Sequence, residues 1–168
     1  RVAVQALGRI GPEAKAAVPT LNALLTKQGD IDVDVAVALT RIGAPPVRKL
    51  FDTFLREGDP FVARQLAWLG PQAREAAPSL RAALADRRPR VRASAAAALA
   101  HVEPDATEAI PALIEALNGL DEEIDVWDVA GALARFGPKS RAALPALIRL
   151  TQKGGVDEDV LKALVQID

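Results

Sequence analysis

The sequence predicts an all-α protein built from repeated pairs of helices. The first observation is a Gly-Pro…Pro-x-Leu motif that recurs at residues 11–21, 70–80 and 137–147, with a fourth copy at 103–113 in which Glu103 replaces the glycine. Self-similarity of this kind is the signature of a repeat architecture. The second is composition: 50% of residues are hydrophobic but only 4% are aromatic. The apolar residues are mainly Ala, Leu and Val, and Ala and Leu lead the scale of helix propensity.

The third observation is a row of evenly spaced leucines, which we call the aligned leucines. They are separated by 32, 27, 33, 34 and 31 residues and are Leu7, Leu39, Leu66, Leu99, Leu133 and Leu164. Apolar residues around each follow the i, i+3, i+4, i+7 pattern of an amphipathic helix. We call these the A helices and expect them at about 1–10, 32–42, 60–69, 90–102, 125–136 and 157–167.

The motif also predicts where the helices begin and end. Glycines follow the A helices at positions that favour a left-handed cap, namely Gly11, Gly43, Gly70 and Gly137. Asp32, Asp125 and Asp157 are candidate N-caps, and Pro60 suits a first helical turn. A second set of helices, the B helices, should begin near the second proline of each motif, and we expect them at about 18–28, 47–57, 77–87, 110–120 and 144–153.

These helices define about five pairs and a final half repeat. The expected repeats are 1–29, 30–58, 59–88, 89–122, 123–155 and a partial 156–168. The second repeat is the shortest, and Phe51 and Phe54 stand there at apolar positions. We therefore expect a local change of superhelix pitch at 43–60. One helix pair cannot bury its apolar stripe alone, whereas stacked neighbours share a continuous core.

The residues of this pattern resemble a known family. Residues 3–12, continuing to Leu25, resemble HEAT repeats and most closely the phycobilisome-lyase HEAT-like subtype, and the resemblance extends over 1–168 with 43–60 its weakest part. It implies a right-handed α-α superhelix, a HEAT-like solenoid with B helices on the concave side, that serves as a scaffold for macromolecular contacts. We expect a single repeat array cut from a longer protein, with adjacent repeats of the parent chain among its partners.

Composition argues against several classes of function. The chain has no cysteine, one histidine (His101), and 21 basic against 22 acidic residues, a net charge of -1. Disulfides, thiolate catalysis and paired-histidine metal motifs are therefore absent, and no cofactor is expected. Asp30, Asp32 and Asp34 have the spacing of a calcium loop, but Val35 replaces the turn glycine. We expect no enzyme activity, no membrane association and a cytoplasmic location.

One polar column stands two residues after the aligned leucines. It contains Arg9, Arg41, Trp68, His101 and Arg135, and equivalent positions of a solenoid stack into a ladder. In one interpretation each side chain caps helix carbonyls, with Trp68 half-buried against a neighbour. In the other, Trp68 anchors a partner with Arg41, His101 and Arg135 beside it, because Trp and Arg are enriched in binding hot spots. Trp127 is interpreted as a packing residue.

A second candidate surface combines a basic turn and the exposed side of the B helices. Residues 87–92 read Arg-Arg-Pro-Arg-Val-Arg, which is either a solvated turn or a contact for phosphate or an acidic partner. Lys15, Arg74 and Arg141 could extend it. The partner-binding candidates of both surfaces are Arg41, Trp68, His101, Arg135, Arg56, Arg81, Arg87, Arg88, Arg90, Glu115 and Arg149, and the concave face would add Asn22, Asn118 and Lys153.

The sequence thus favours a non-catalytic scaffold that binds another protein or peptide on its concave or ladder surface. The charges of the concave candidates are mixed, which suits a protein more than a polyanion. Two alternatives stay open. A nucleic-acid-binding or DNA-glycosylase-like HEAT protein is compatible with the arginines and tryptophans, and a phycobilin lyase-type subunit is implied by the name of the resembled subtype alone.

Overall fold

The computed structural model describes residues 2–27, 30–31, 33–44, 46, 60–119, 126–154 and 158–167. Its α-helices are α1 (Val2–Ile10), α2 (Val18–Leu24), α3 (Val33–Ile42), α4 (Pro60–Leu69), α5 (Ala77–Ala83), α6 (Pro89–Val102), α7 (Ile110–Gly119), α8 (Val126–Phe136), α9 (Leu144–Gly154) and α10 (Glu158–Ile167). Short 3-10 helices cover Gly11–Ala17, Gly70–Ala76, Thr107–Ala109 and Gly137–Ala143. The strands β1 (Thr26–Lys27) and β2 (Asp30–Ile31) pair antiparallel, Thr26 with Ile31 and Lys27 with Asp30.

The helices form two layers. In the A layer, α1 packs on α3, α4 on α6, α6 on α8 and α8 on α10. In the B layer, α7 contacts α9, and each B helix packs against the A helix that follows it, as α5 does on α6 and α7 on α8. The described part of the chain is therefore an all-α solenoid of helix pairs, apart from the two short strands.

The aligned leucines lie in the core of this stack. Leu39, Leu66, Leu99 and Leu133 are 0% exposed. Leu7 and Leu164 are partly buried and pack against the same hydrophobic cluster. The periodicity of the sequence therefore identified the residues that hold neighbouring repeats together.

Adjacent A helices approach closely because small residues face each other across the stack. The clearest case is Gly8 of α1, which is buried. A Cβ added at Gly8 would lie 3.1 Å from the Cα of Ala38 on α3, a distance that real side chains rarely reach. The spacing of α1 and α3 thus depends on the absence of a side chain at this position.

The predicted glycine caps are confirmed. Gly11, Gly43, Gly70 and Gly137 have φ of 71°, 86°, 55° and 56°, the left-handed region in which a Cβ is unfavourable. At Gly70 the added Cβ would also lie 3.6 Å from the carbonyl oxygen of His101. This glycine therefore both ends α4 and lets the chain pass close to the end of α6.

The predicted A helices agree with the structure to within a residue or so, but two B helices end early. The helix predicted at 18–28 ends at Leu24, and the next residues enter the β1–β2 hairpin. Gly29 disfavours continuation of that helix, while β-branched Thr26 and Ile31 suit paired strands. The helix predicted at 77–87 ends at Ala83. The stretch before the second proline, as at Gly11–Ala17, is a 3-10 helix.

Some predictions fall outside the described residues. These are the N-caps Asp32, Asp125 and Asp157 and the B helix at 47–57. The region of altered pitch at 43–60 also lies outside the described residues, except for residues 43, 44, 46 and 60. Pro60 begins α4 as expected. Within the described ranges, no helix has the length and hydropathy needed to cross a membrane.

Candidate functional site

The outward side of the A layer carries the first candidate surface, which we call the A face. Its positions lie five and two residues before each aligned leucine and two residues after it, a spacing that keeps them on one side of a helix. Around the middle of the array it comprises Arg64 and Trp68 on α4, Ser94, Ala97 and His101 on α6, and Asp128, Gly131 and Arg135 on α8.

Trp68 is the most exposed aromatic side chain of the described residues. It lies in the last turn of α4 and is 59% exposed. Trp68 is therefore exposed, whereas one interpretation of the polar column expected it to be half-buried. The physical reason is its place on the outward side of the A layer, which no second layer of the described helices covers. An indole held by a helix and open to solvent offers a large contact area without ordering a loop.

A recess lies over the middle of α6, and Ala67, the residue before Trp68, is part of its lining. Its floor is formed by α6 residues that include Ala93, Ser94, Ala97 and Ala98, and its walls by α4 and α8. The floor is low because α6 carries Ala97 where α4 carries Arg64 at the equivalent position. His101 closes one end of the recess.

An ion pair crosses α6 at the edge of this recess. Arg64 of α4 donates from Nε to Oδ2 of Asp128 on α8 at 2.9 Å, and its Nη2 lies 2.8 Å from the same oxygen. The two side chains are 47% and 38% exposed. Ion pairs this accessible contribute about 0–1 kcal/mol, so the pair cancels two charges at the recess but is easily opened.

His101 is half-buried between the charged groups of α8. Burial lowers its pKa below the ordinary value of 6.5, the charge of Arg135 lowers it further, and Asp128 opposes both. At neutral pH the imidazole is therefore uncharged and can accept a hydrogen bond at one nitrogen and donate at the other.

Arg135 lies at the end of the A face with an exposed side chain. Its Nε donates to the carbonyl oxygen of Ala100 at 3.4 Å, so it caps the C-terminal end of the neighbouring helix α6. This agrees with the interpretation in which the side chains of the polar column cap helix carbonyls. The helix that Arg135 caps is, however, the neighbouring α6 and not its own helix α8. Arg135 makes no ion pair among the residues that the structure describes. Arg41, in the same column on α3, is exposed.

The second candidate surface, around the B layer, is rich in internal ion pairs. Arg81 pairs with Glu103 and Glu108, which lie in the turn before the next B helix. Arg88 forms a two-point contact with Asp86, Nε to Oδ1 and Nη2 to Oδ2 at 3.0 Å each. These hydrogen bonds, with one from the Arg88 backbone, lower the pKa of Asp86 to about 2.

The remaining arginines of this surface are distributed as follows. Arg92 pairs with Glu115 and donates to the carbonyl oxygens of Asp86 and Arg87. Arg149 donates to Asn118. Arg87 is exposed, Arg90 is partly buried at the start of α6, and Arg56 lies outside the described residues. The basic turn at 87–92 is thus partly neutralised by carboxylates of the same chain.

No signal in the sequence was interpreted as a role for Arg64, Asp128, Ser94 or Ala97. The polar column predicted on these helices stands two residues after the aligned leucines, whereas these residues stand two and five residues before them. Reading those two columns together across α4, α6 and α8 would have exposed an arginine, a small residue and an aspartate in neighbouring helices.

The described ranges contain no group of three or more His, Asp or Glu side chains placed to hold a metal ion. Of the calcium-like triplet, Asp30 lies in β2 and Asp34 in α3, and Asp32 is outside the described residues.

The helix that forms the recess floor belongs to the segment with a family match. Residues 91–119 match the PBS lyase HEAT-like repeat. This HEAT-like repeat covers nearly all of α6, the following turn and the whole of α7. The other copies of the motif fold into the same order of A helix, 3-10 turn and B helix. No curated protein and no solved structure matches the chain.

Proposed function

We propose that this HEAT-like solenoid is a non-catalytic protein-binding scaffold, and that its partner contacts the A face. The observation that carries the proposal is Trp68, which is 59% exposed on the same helix that contributes Ala63, Arg64 and Ala67 to a recess. Trp is among the residue types that dominate binding energy at protein interfaces. The proposal includes the finer architecture implied by the family, a right-handed superhelix with the B helices on its concave side, and a cytoplasmic location.

The distribution of charge gives less support to a nucleic-acid partner. Binding to a phosphate backbone depends on several cations that are free to replace counterions. Around the B layer, Arg81, Arg88 and Arg92 each bind a carboxylate of the same chain. A protein or peptide partner does not require those cations. The bilin-lyase alternative has no supporting residue beyond the family match.

The test uses peptides selected from a random phage library on the immobilised chain. Trp68→Ala should weaken the selected peptides by roughly 30-fold, the loss typical of a binding hot spot. Ile148→Ala is the matched control, since Ile148 is a large apolar residue of the B layer that is 46% exposed. Both variants should melt within a few degrees of the wild type. Unchanged binding by Trp68→Ala together with a large loss of thermal stability would refute the proposal.

The alternatives are measured in the same series. Labelled duplex and single-stranded nucleic acids are titrated at about 50 mM and 200 mM salt, where phosphate-driven binding loses affinity steeply. Tight binding with a steep salt dependence would favour the nucleic-acid alternative. A bilin absorbance change on addition of the chain would favour the lyase alternative.

A further inference from the structure

We propose that the recess on α6 is the specificity pocket of this scaffold: it accepts one bulky apolar side chain of a partner segment, while Arg135 binds a carboxylate of the same segment. This inference rests on the proposed function, because it names the chemistry of the partner at the A face.

The apolar half of the proposal follows from the lining. The apolar lining residues provide methyl and isopropyl groups and are Ala63 and Ala67 of α4, Ala93, Ala97 and Ala98 of α6, and Val129 of α8. The remaining lining residues, Arg64, Ser94, His101 and Asp128, are polar. The apolar part of this surface gains free energy when it is covered by an apolar side chain. Ala97 stands two residues before its aligned leucine. At the equivalent position, α1 has the longer side chain of Gln5 and α10 that of Lys162, so the alanine leaves room on α6 that longer side chains occupy in those repeats.

Trp68 extends this apolar surface. It lies one helical turn from Arg64 on the same side of α4, and side chains four residues apart in a helix are neighbours at about 6 Å. Trp68 also follows the lining residue Ala67 directly in the chain, so a partner segment that seats one side chain in the recess passes close to the exposed indole. Aromatic and aliphatic groups that pack against an indole in this way form the buried centre of many interfaces.

The acidic half of the proposal follows from the charges around the recess. Arg64 and Asp128 cancel each other, and His101 is neutral at pH 7 because its pKa is lowered. Arg135 makes no ion pair among the described residues, and its Nε donates to the carbonyl of Ala100, which leaves the outer guanidinium nitrogens to bind a ligand. A guanidinium matches the two oxygens of a carboxylate.

The partner is therefore a peptide segment with an apolar residue and an acidic residue close in space. A polyanion such as RNA would satisfy Arg135 but would leave the apolar recess empty. A purely apolar segment would fill the recess but would gain nothing from Arg135.

The experiment fills the recess from inside. Ala97→Leu places a leucine on the floor and should weaken the phage-selected peptides at least tenfold, since it removes the burial of an apolar side chain. Gln5→Leu is the matched control, because it adds the same side chain at the equivalent position of α1, away from the recess. Arg135→Glu should weaken peptides that carry an acidic residue and spare variants of those peptides in which the acid is replaced by glutamine.

A second measurement does not depend on how the variants fold. The chain has one histidine, so the Hε1 NMR signal of His101 reports on the end of the recess without ambiguity. The selected peptide should shift this signal, and the same peptide with its apolar residue changed to glycine should neither bind nor shift it. If Ala97→Leu melts early, Ser94→Leu, on a partly buried residue of the same lining, replaces it.

The outcomes separate the two proposals. If Trp68→Ala loses binding and Ala97→Leu binds fully, the proposal of a protein-binding A face would be supported and the proposal that the recess is its specificity pocket would be wrong. Full binding by both variants would overturn both proposals. Selected peptides that share no apolar residue would contradict the apolar part of the proposal. Selected peptides whose binding does not depend on both an acidic residue and Arg135 would contradict the acidic part.

Discussion

Two helical glycines of the A layer should respond in opposite ways to the same change. Alanine is more favourable than glycine in a helix interior by roughly 0.5–1 kcal/mol, because it restricts the unfolded chain. At Gly131 of α8, no heavy atom of the described residues lies within 4 Å of an added Cβ, apart from the two chain neighbours and the backbone of the helix itself. Gly131→Ala should therefore raise the free energy of unfolding by the full amount, about 0.5–1 kcal/mol.

At Gly8 the same methyl group has no space. It would lie 3.1 Å from the Cα and 3.3 Å from the Cβ of Ala38, and 3.6 Å from Cδ of Arg41. The arginine can move, but the Cα of Ala38 belongs to the backbone of α3. Overpacking of this kind costs about 1–3 kcal/mol, which exceeds the gain in helix propensity. Gly8→Ala should therefore lower the free energy of unfolding by up to about 2 kcal/mol.

The assay is urea unfolding followed by far-UV circular dichroism. The three proteins are compared by the midpoint and slope of the transition, since an unchanged slope shows that the difference is one of stability. Gly8→Ala stabilising the chain as much as Gly131→Ala would refute the argument that α1 and α3 are in contact through their backbones. Equal destabilisation by both would show that the A face above α8 is not open.

The remaining predictions concern single polar groups. Ser140 has the one buried polar side chain of the described ranges, and its hydroxyl lies 2.8 Å from two backbone carbonyl oxygens. Ser140→Ala should therefore lower the free energy of unfolding, measured in urea, by about 1 kcal/mol. An unchanged free energy of unfolding would contradict this. Burial and the charge of Arg135 lower the pKa of His101 in the folded chain. The free energy of unfolding should therefore be constant at pH values above 6.5, the ordinary pKa of histidine, and should fall as the pH drops through 6.5. In Arg135→Ala the pKa of His101, followed by its Hε1 NMR signal, should be higher. A titration that Arg135→Ala leaves in place would show that the two groups do not interact. The pKa of Asp86, measured by carboxyl NMR, should be about 2. Because this pKa lies below the unfolded value of 3.8, the carboxylate should stabilise the fold at pH values above 3.8, and this contribution should be lost as the pH falls toward 2. In Arg88→Ala the pKa of Asp86 should be higher. An unmoved midpoint in that variant would contradict the two-point contact.

Much of the fold could be predicted from the sequence because local signals agree with one another. Apolar periodicity, a left-handed glycine and a following proline all mark the end of an A helix, and Gly70 with Pro71 shows the combination in one place. The B helices have no such stop signal. The ends of α2 at Leu24 and of α5 at Ala83 depend on what the following chain packs against, and a short-range pattern does not contain that information.

The candidate site was only half visible in the sequence. The column with Trp68 was found because it stands at a fixed distance from the aligned leucines, although its exposure was judged wrongly. The recess depends on three helices at once, since Ala97 matters only where Arg64 and Asp128 flank it. The neutralisation of Arg81 by Glu103 joins residues 22 apart in sequence, and no spacing rule along the chain indicates that pairing.

The bridge from Arg64 to Asp128 has a consequence for how the array unfolds. In a solenoid each repeat normally contacts only its immediate neighbours, so stability is a sum of repeat and nearest-neighbour terms. This bridge links the third repeat to the fifth over the top of the fourth, and adds a coupling of about 0–1 kcal/mol between repeats that are not adjacent in the stack. Since salt screens exposed charges, the sharpness of the unfolding transition in the middle of the chain should be a property that ionic strength can adjust.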